Sequence, residues 1–201
     1  MTQNEQPRWT IDDARELYGI NRWGIRYFDI NEQGQVAVAP LKDEGVSIPI
    51  VEVAREAVAE KGLHFPLLIR FQDLLRNRVA RINDAFHSAI KEFDYQSCYR
   101  GVYPVKVNQL REVVEEIVDA GRPYHHGLEV GSKPELHAAL AIHEDPESLI
   151  VCNGYKDSEY IKIALMGVKL QKKVILVLEK LEEVGQIIEQ ARQMGVEPLI
   201  G

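Results

Sequence analysis

From Pro66 onward the hydrophobic positions switch period repeatedly. Short apolar runs alternate with longer stretches in which apolar residues recur every three or four positions, the spacing of one helical face. Pro66 to Phe71 is such a run, and Asp73 to Phe93 then places Leu74, Leu75, Val79, Ile82, Phe86, Ala89 and Ile90 on one stripe. A strand through Val105 follows, with a helix from Gln109 to about Ala120 that Gly121 is placed to stop. Further strands start near His125, Leu149, Lys173 and Glu197, spaced 24 residues apart. A regular strand-helix period predicts an α/β protein with a parallel sheet, open or closed as a barrel, and the uniform period favours part of a (β/α)8 TIM-like barrel of about five and a half units.

Residues 1–62 have a different character and read as an N-terminal extension, with the incomplete barrel at 63–201. Met1 to Pro7 is polar and expected to be disordered. Asp12 to Tyr18 predicts a short helix, and Trp23 to Ile30 alternates as a strand does. Asn31-Glu32-Gln33-Gly34 is turn chemistry, and Gln35 to Pro40 completes a β-hairpin. Ile50 to Lys61 has helical spacing with Gly62 at its end.

Composition narrows the function classes. The 201 residues are 45% hydrophobic and carry a net charge of -7, which argues against nucleic acid and anionic membranes as general partners. No apolar run approaches the roughly 20 residues that span a bilayer, and the start has no signal-peptide core, so a cytoplasmic location is expected. Cys98 and Cys152 are too few for a disulfide framework and are read as reduced, Cys152 in a buried strand. The six histidines lack metal-ligand spacing, and there is no GxSxG, Walker or GxGxxG motif.

The candidate chemistry comes from the pleat. Alternation puts Val102, Pro104, Lys106 and Asn108 on one face and the apolar Tyr103, Val105 and Val107 on the other. The same phase on the other strands brings Arg70, Glu129, Asn153 and Glu179 to the C-terminal strand ends, the rim where barrels do their chemistry. Ser132-Lys133-Pro134-Glu135 reads as a capping box and Asp157 as an N-cap for a helix to Met166. Glu182-Glu183 reads as the solvated face of an amphipathic helix.

Three consecutive stretches then carry a resemblance: Tyr103-Pro104-Val105-Lys106-Val107-Asn108-Gln109, Gly127-Leu128-Glu129-Val130-Gly131-Ser132-Lys133-Pro134-Glu135-Leu136, and Val151-Cys152-Asn153-Gly154-Tyr155-Lys156-Asp157. They resemble motifs of the biosynthetic arginine decarboxylases, pyridoxal-phosphate enzymes of the alanine-racemase-like, fold-III group. Trp23-Gly24 with Tyr27-Phe28, and Leu67 to Phe71, resemble that family's N-terminal region. The resemblance implies that Lys106 is the Schiff-base lysine and that Glu129 and Glu135 stand near the cofactor in electrostatic and orienting roles; Ser132, Asn108, Asn153 and Arg70, placed by the cap and the pleat, join them as candidates for lining its site. A lysine activated by desolvation suits that role. L-arginine is the implied substrate and agmatine and carbon dioxide the products, with a homo-oligomeric complete enzyme and an association with magnesium.

Family members are longer than this chain. The glycine-rich phosphate site, the acid that pairs with the pyridine nitrogen and the substrate-recognition residues lie beyond the point matched by Gly201. The expectation is therefore an N-terminal fragment, inactive alone. Two alternatives stand beside it: a truncated, non-catalytic paralogue that regulates assembly of a full-length decarboxylase, and a related ornithine or diaminopimelate decarboxylase.

Overall fold

The computed structural model of the chain describes residues 8–42 and 45–201, and the disorder expected for Met1 to Pro7 lies outside them. Two compact units are formed, Met1–Asn77 and Arg78–Gly201.

In the first unit, helix α1 (Ile11–Leu17) is opened by Thr10, whose hydroxyl accepts the Asp13 N–H while the Asp13 carboxylate accepts the Thr10 N–H at 2.7 Å. A four-residue helix, α2 (Ile20–Trp23), ends on the first residue of the expected strand, residues 24–27 form a bend and turn, and the strand is reduced to β1 (Phe28–Ile30). Alternation of aromatic and polar residues there marks half-burial, which a bend and turn satisfy equally well. The hairpin forms as expected: β1 pairs antiparallel with β2 (Val36–Val38) across a turn in which Asn31 Oδ1 accepts the N–H groups of Gln33 and Gln35. A third strand, β3 (Ile48–Pro49), adds to β2 and leads into α3 (Ile50–Ala59).

Helix α4 (Gln72–Glu92) begins in the first unit and ends in the second. Its expected stripe is partly wrong: Ile82 and Phe86 are exposed, while Val79 and the polar Asn83 are buried. Residues 61–71 form no strand, so the first expected strand-helix unit is absent from the sheet. An apolar run signals burial rather than a hydrogen-bonding partner: Leu67, Ile69 and Phe71 are half-buried and Leu68 is exposed, while Pro66 has no N–H to donate to a ladder.

The second unit is a five-stranded parallel sheet in chain order. It comprises β4 (Val102–Pro104), β5 (Gly127–Val130), β6 (Leu149–Cys152), β7 (Lys173–Leu176) and β8 (Leu199–Ile200). Between them run α5 (Arg111–Gly121), α6 (Lys133–Ile142), α7 (Ser158–Lys169) and α8 (Leu181–Met194). There are four strand-helix units and a closing strand, not five and a half. Consecutive order is that of a (β/α) barrel wall; a doubly wound sheet reverses its order part-way.

In β5, β6 and β7 alternate residues make the core. Leu128, Val130, Ile150, Cys152, Val174 and Leu176 are buried against Leu136 and Ala139 of α6, Ile161, Ala164 and Leu165 of α7, and Ile187 and Ala191 of α8. Burying each Leu, Ile or Val among them stabilises by roughly 1.5–3 kcal/mol. The opposite face carries the row Pro104, Glu129, Val151 and Ile175 in register. Close approach of β5 to β6 depends on Gly127, where a Cβ would stand 2.0 Å from the Leu149 carbonyl oxygen.

Candidate active site

Strand β4 stops at Pro104, and a 3-10 turn, Val105–Val107, carries Lys106 past the strand end. The pleat therefore does not extend to Lys106 and Asn108. Val105 is buried at 4% exposure and Val107 lies open at 71%, although strict alternation would have placed them together. The turn is closed by the Tyr103 hydroxyl, which donates to the Asn108 carbonyl oxygen at 3.3 Å. Asn108 Oδ1 accepts the Leu110 N–H at 3.1 Å just before α5 begins, so its side chain serves the chain turn.

Lys106 Nζ stands 3.7 Å from Glu129 Oε1. Glu129 is buried in β5, whereas 64% of the Lys106 side chain is exposed, so the desolvated lysine expected from the resemblance is instead an amine open to water. Asn153, the first residue after β6, donates from Nδ2 to the same Glu129 oxygen at 3.0 Å. A buried carboxylate needs such partners, and here an amide and an amine supply them. With one partner so exposed, the Lys106–Glu129 pair is worth about 1 kcal/mol or less to folding.

The start of α6 adds a second carboxylate. Ser132 Oγ accepts the Glu135 N–H at 3.4 Å, as a cap should. Glu135 does reach back, but to the N–H of Gly131 at 2.7 Å, one residue beyond the expected partner, and it also accepts Gln109 Nε2 at 2.9 Å. It thereby ties the loop after β4 to the loop after β5. Asp157 caps α7 by accepting the Tyr160 N–H at 2.8 Å. Lys133 bridges Asp157 and Glu159 at 2.8 and 2.7 Å, and these carboxylates push its ammonium up to about 12. Of the residues expected at the rim, Lys106, Glu129 and Asn153 meet directly, while Ser132, Glu135 and Asn108 shape the loops around them. Arg70 is exposed in the first unit, outside the parallel sheet.

Residues 79–197, which include Lys106, Glu129 and Asn153, match the family model described as pyridoxal-dependent decarboxylase, pyridoxal binding domain. The chain belongs to this decarboxylase family. It is 50% identical over 193 residues to a biosynthetic arginine decarboxylase of Gloeobacter violaceus, covering 96% of this chain and 30% of that protein. A biosynthetic arginine decarboxylase of Phocaeicola vulgatus is 46% identical over 194 residues, with the same coverage. The crystal structure of the biosynthetic arginine decarboxylase SpeA from Campylobacter jejuni superposes with a TM-score of 0.81 at 33% identity, over 92% of this chain and 30% of that one. The chain thus spans about 30% of the length of these relatives, their N-terminal portion.

In this family member a second layer of charge lies behind the first, and the sequence reading missed it. Glu183 is not on a solvated face. It is buried and paired with the buried Lys156 at 3.3 Å, and it accepts the N–H groups of Lys156 and Glu179 at 2.9 and 3.1 Å. Those bonds hold its carboxyl below the usual range against the opposing effect of burial. Glu179, read as a strand residue, lies past the end of β7 and accepts the Gly154 N–H at 3.0 Å. Cys152 is buried in β6 as expected, and burial pushes its thiol up to about 11, which makes it inert as a nucleophile. Burial likewise raises the neighbouring Tyr160, whose hydroxyl donates to the Val130 carbonyl oxygen at 3.2 Å.

Proposed function

We propose that the chain is the N-terminal, cofactor-binding part of an arginine decarboxylase that converts L-arginine to agmatine and carbon dioxide on the route to putrescine and spermidine. The observation that carries this reading is the amine of Lys106 at the C-terminal end of β4, 3.7 Å from a buried carboxylate, inside the residues that match the pyridoxal-binding model. The names of the relatives support arginine as the substrate. An accessible primary amine beside an anchored carboxylate fits a pyridoxal aldehyde. When bound, pyridoxal phosphate supplies the electron sink that lets an amino acid lose its α-carboxylate.

The chain's own residues do the positioning. Lys106 presents its amine on a side chain open to solvent, where an aldehyde can reach it. Glu129 holds the amine at the rim by charge, and Asn153 prevents the carboxylate from turning away. Glu135, through Gly131 and Gln109, fixes the loops on either side, and Ser132 and Asn108 set the starts of α6 and α5. No role is assigned to Arg70, because its expected place rested on a strand that does not form.

The same proposal carries a cytoplasmic, homo-oligomeric complete enzyme with a magnesium association. Among the described residues no helix is long and apolar enough to cross a membrane, and no three His, Cys, Asp or Glu side chains gather as metal ligands. Magnesium therefore has no assigned ligands. The test is product analysis with the complete polypeptide given arginine, ornithine or diaminopimelate. Agmatine from arginine is expected; putrescine or lysine as the sole product would refute the substrate, and no carbon dioxide from any of the three would refute the reading.

A further inference from the structure

Two charges in the second unit are taken almost wholly out of water: the side chains of Lys156 and Glu183 are 0% and 3% exposed. Burying an ion pair costs more than its attraction returns unless the remaining donors and acceptors are also satisfied. Here they are. Lys156 Nζ donates to the Gly154 carbonyl oxygen at 2.6 Å, to the Val177 carbonyl oxygen and to Glu183. Glu183 in turn receives the Lys156 and Glu179 N–H groups, and the Glu179 carboxylate receives the Gly154 N–H. The loop after β6 is thus stitched to the loop after β7 by groups that an apolar pair could not replace.

The stitching converges on one peptide. Gly154 has φ +79°, a conformation that favours glycine, and is held through both its N–H and its carbonyl oxygen. Its neighbour Asn153 bonds from its main-chain N–H to the Val130 carbonyl oxygen at 2.9 Å and from its side chain to Glu129. Glu129 faces Lys106. A continuous set of contacts therefore runs from Glu183 through Lys156, Gly154, Asn153 and Glu129 to the amine.

We propose that the buried Lys156–Glu183 pair is a positioning element for Lys106, acting through Asn153 and Glu129. The inference rests on the assignment of Lys106 as the cofactor amine. It adds two residues that touch neither cofactor nor substrate and whose effect is geometric.

The experiment uses the complete polypeptide, stripped of cofactor and mixed with pyridoxal phosphate. Amine and aldehyde condense with loss of water, borohydride adds hydride to the carbon–nitrogen bond, and mass spectrometry locates and times the label. Lys156→Met is expected to slow labelling of Lys106 about 10- to 100-fold, as misplacement by an ångström does. Asn153→Ala should slow it comparably, and the double variant should be no slower than the slower single, because both act on one line of contacts. Lys173→Met, which breaks the exposed 2.7 Å pair with Glu147 at the other end of β7, should label at the wild-type rate. Wild-type labelling by Lys156→Met, or multiplied losses in the double variant, would overturn the proposal. Should Lys156→Met fail to fold, Glu179→Ala, which removes the acceptor of the Gly154 N–H, replaces it and must slow labelling without adding to Asn153→Ala; an unchanged rate or multiplied losses would again overturn it. Wild-type label on a different lysine would instead overturn the Lys106 assignment, and this inference with it.

Discussion

At the C-terminal end of the parallel sheet, Glu129, Lys156 and Glu183 are buried, and their hydrogen bonds run from loop to loop. At the N-terminal end the charged pairs Lys173–Glu147 and Arg122–Glu144 stand in water, and the buried titratable group is the imidazole of His143. His143 Nε2 meets Ser148 Oγ at 2.6 Å, and that hydroxyl also reaches the Asp145 carbonyl oxygen at 3.0 Å. Both ends must satisfy the loops that join strands to helices. At the N-terminal end a histidine and a serine do this in part, with His143 Nδ1 buried and unpartnered. Buried ions, which cost far more, occur at the end where the Lys106 amine and the Glu129 carboxylate meet.

The largest effect separating the two ends should come from Lys106→Ala in the complete polypeptide. It is expected to abolish both the absorbance of lysine-bound cofactor and carbon dioxide release while leaving the melting temperature nearly intact. Near-normal turnover would show that the amine lies elsewhere. Gly127→Ala should damage both ends together, because its methyl would meet the Leu149 carbonyl oxygen and part β5 from β6. Urea unfolding is expected to register a loss of about 3 kcal/mol or more. A loss under about 1 kcal/mol would mean that the strands can shift apart freely.

Much of this contrast was legible in the sequence, and some was not. The strand-helix period of residues 125–201 is a local signal, repeated by short apolar runs and cap residues such as Ser132 and Asp157, and it survives in the structure. Glu129 and Asn153 could be placed because each sits at a strand end that alternation locates. Lys106 reaches the rim for a different reason, since the chain leaves the pleat at Pro104. Glu183 was misread because its partner Lys156 is 27 residues away, and periodicity cannot tell a solvated carboxylate from one that meets a distant lysine. The strand expected to carry Arg70 does not form, because an apolar run does not specify a strand to pair with.

A smaller effect sharpens the N-terminal side. Ser148→Ala leaves the buried His143 Nε2 without its partner and should cost about 1–3 kcal/mol in denaturant unfolding. The kcat of the folded complete enzyme should not change; a tenfold fall would erase the distinction between the ends. The same end should respond to pH. Burial, helped by the charge of Lys172 and opposed by Asp145, holds His143 below its ordinary value of 6.5, and burial alone does so for His126. The unfolded chain then binds more protons than the folded one below that value. Stability should be full above about pH 6.5, fall as the pH drops through it, and level off once the folded histidines also protonate. A stability flat between pH 7 and pH 5 in a His143→Asn, His126→Asn variant, against a slope in the parent, is the expected result. Equal slopes would place the titration in other groups.

The most direct test of the central claim is peptide mapping of the complete polypeptide after pyridoxal phosphate and borohydride. A single pyridoxyl-labelled peptide containing Lys106, in the turn after β4, is expected. Label on Lys133, Lys156 or any lysine other than Lys106, or spread evenly over the surface amines, would contradict it.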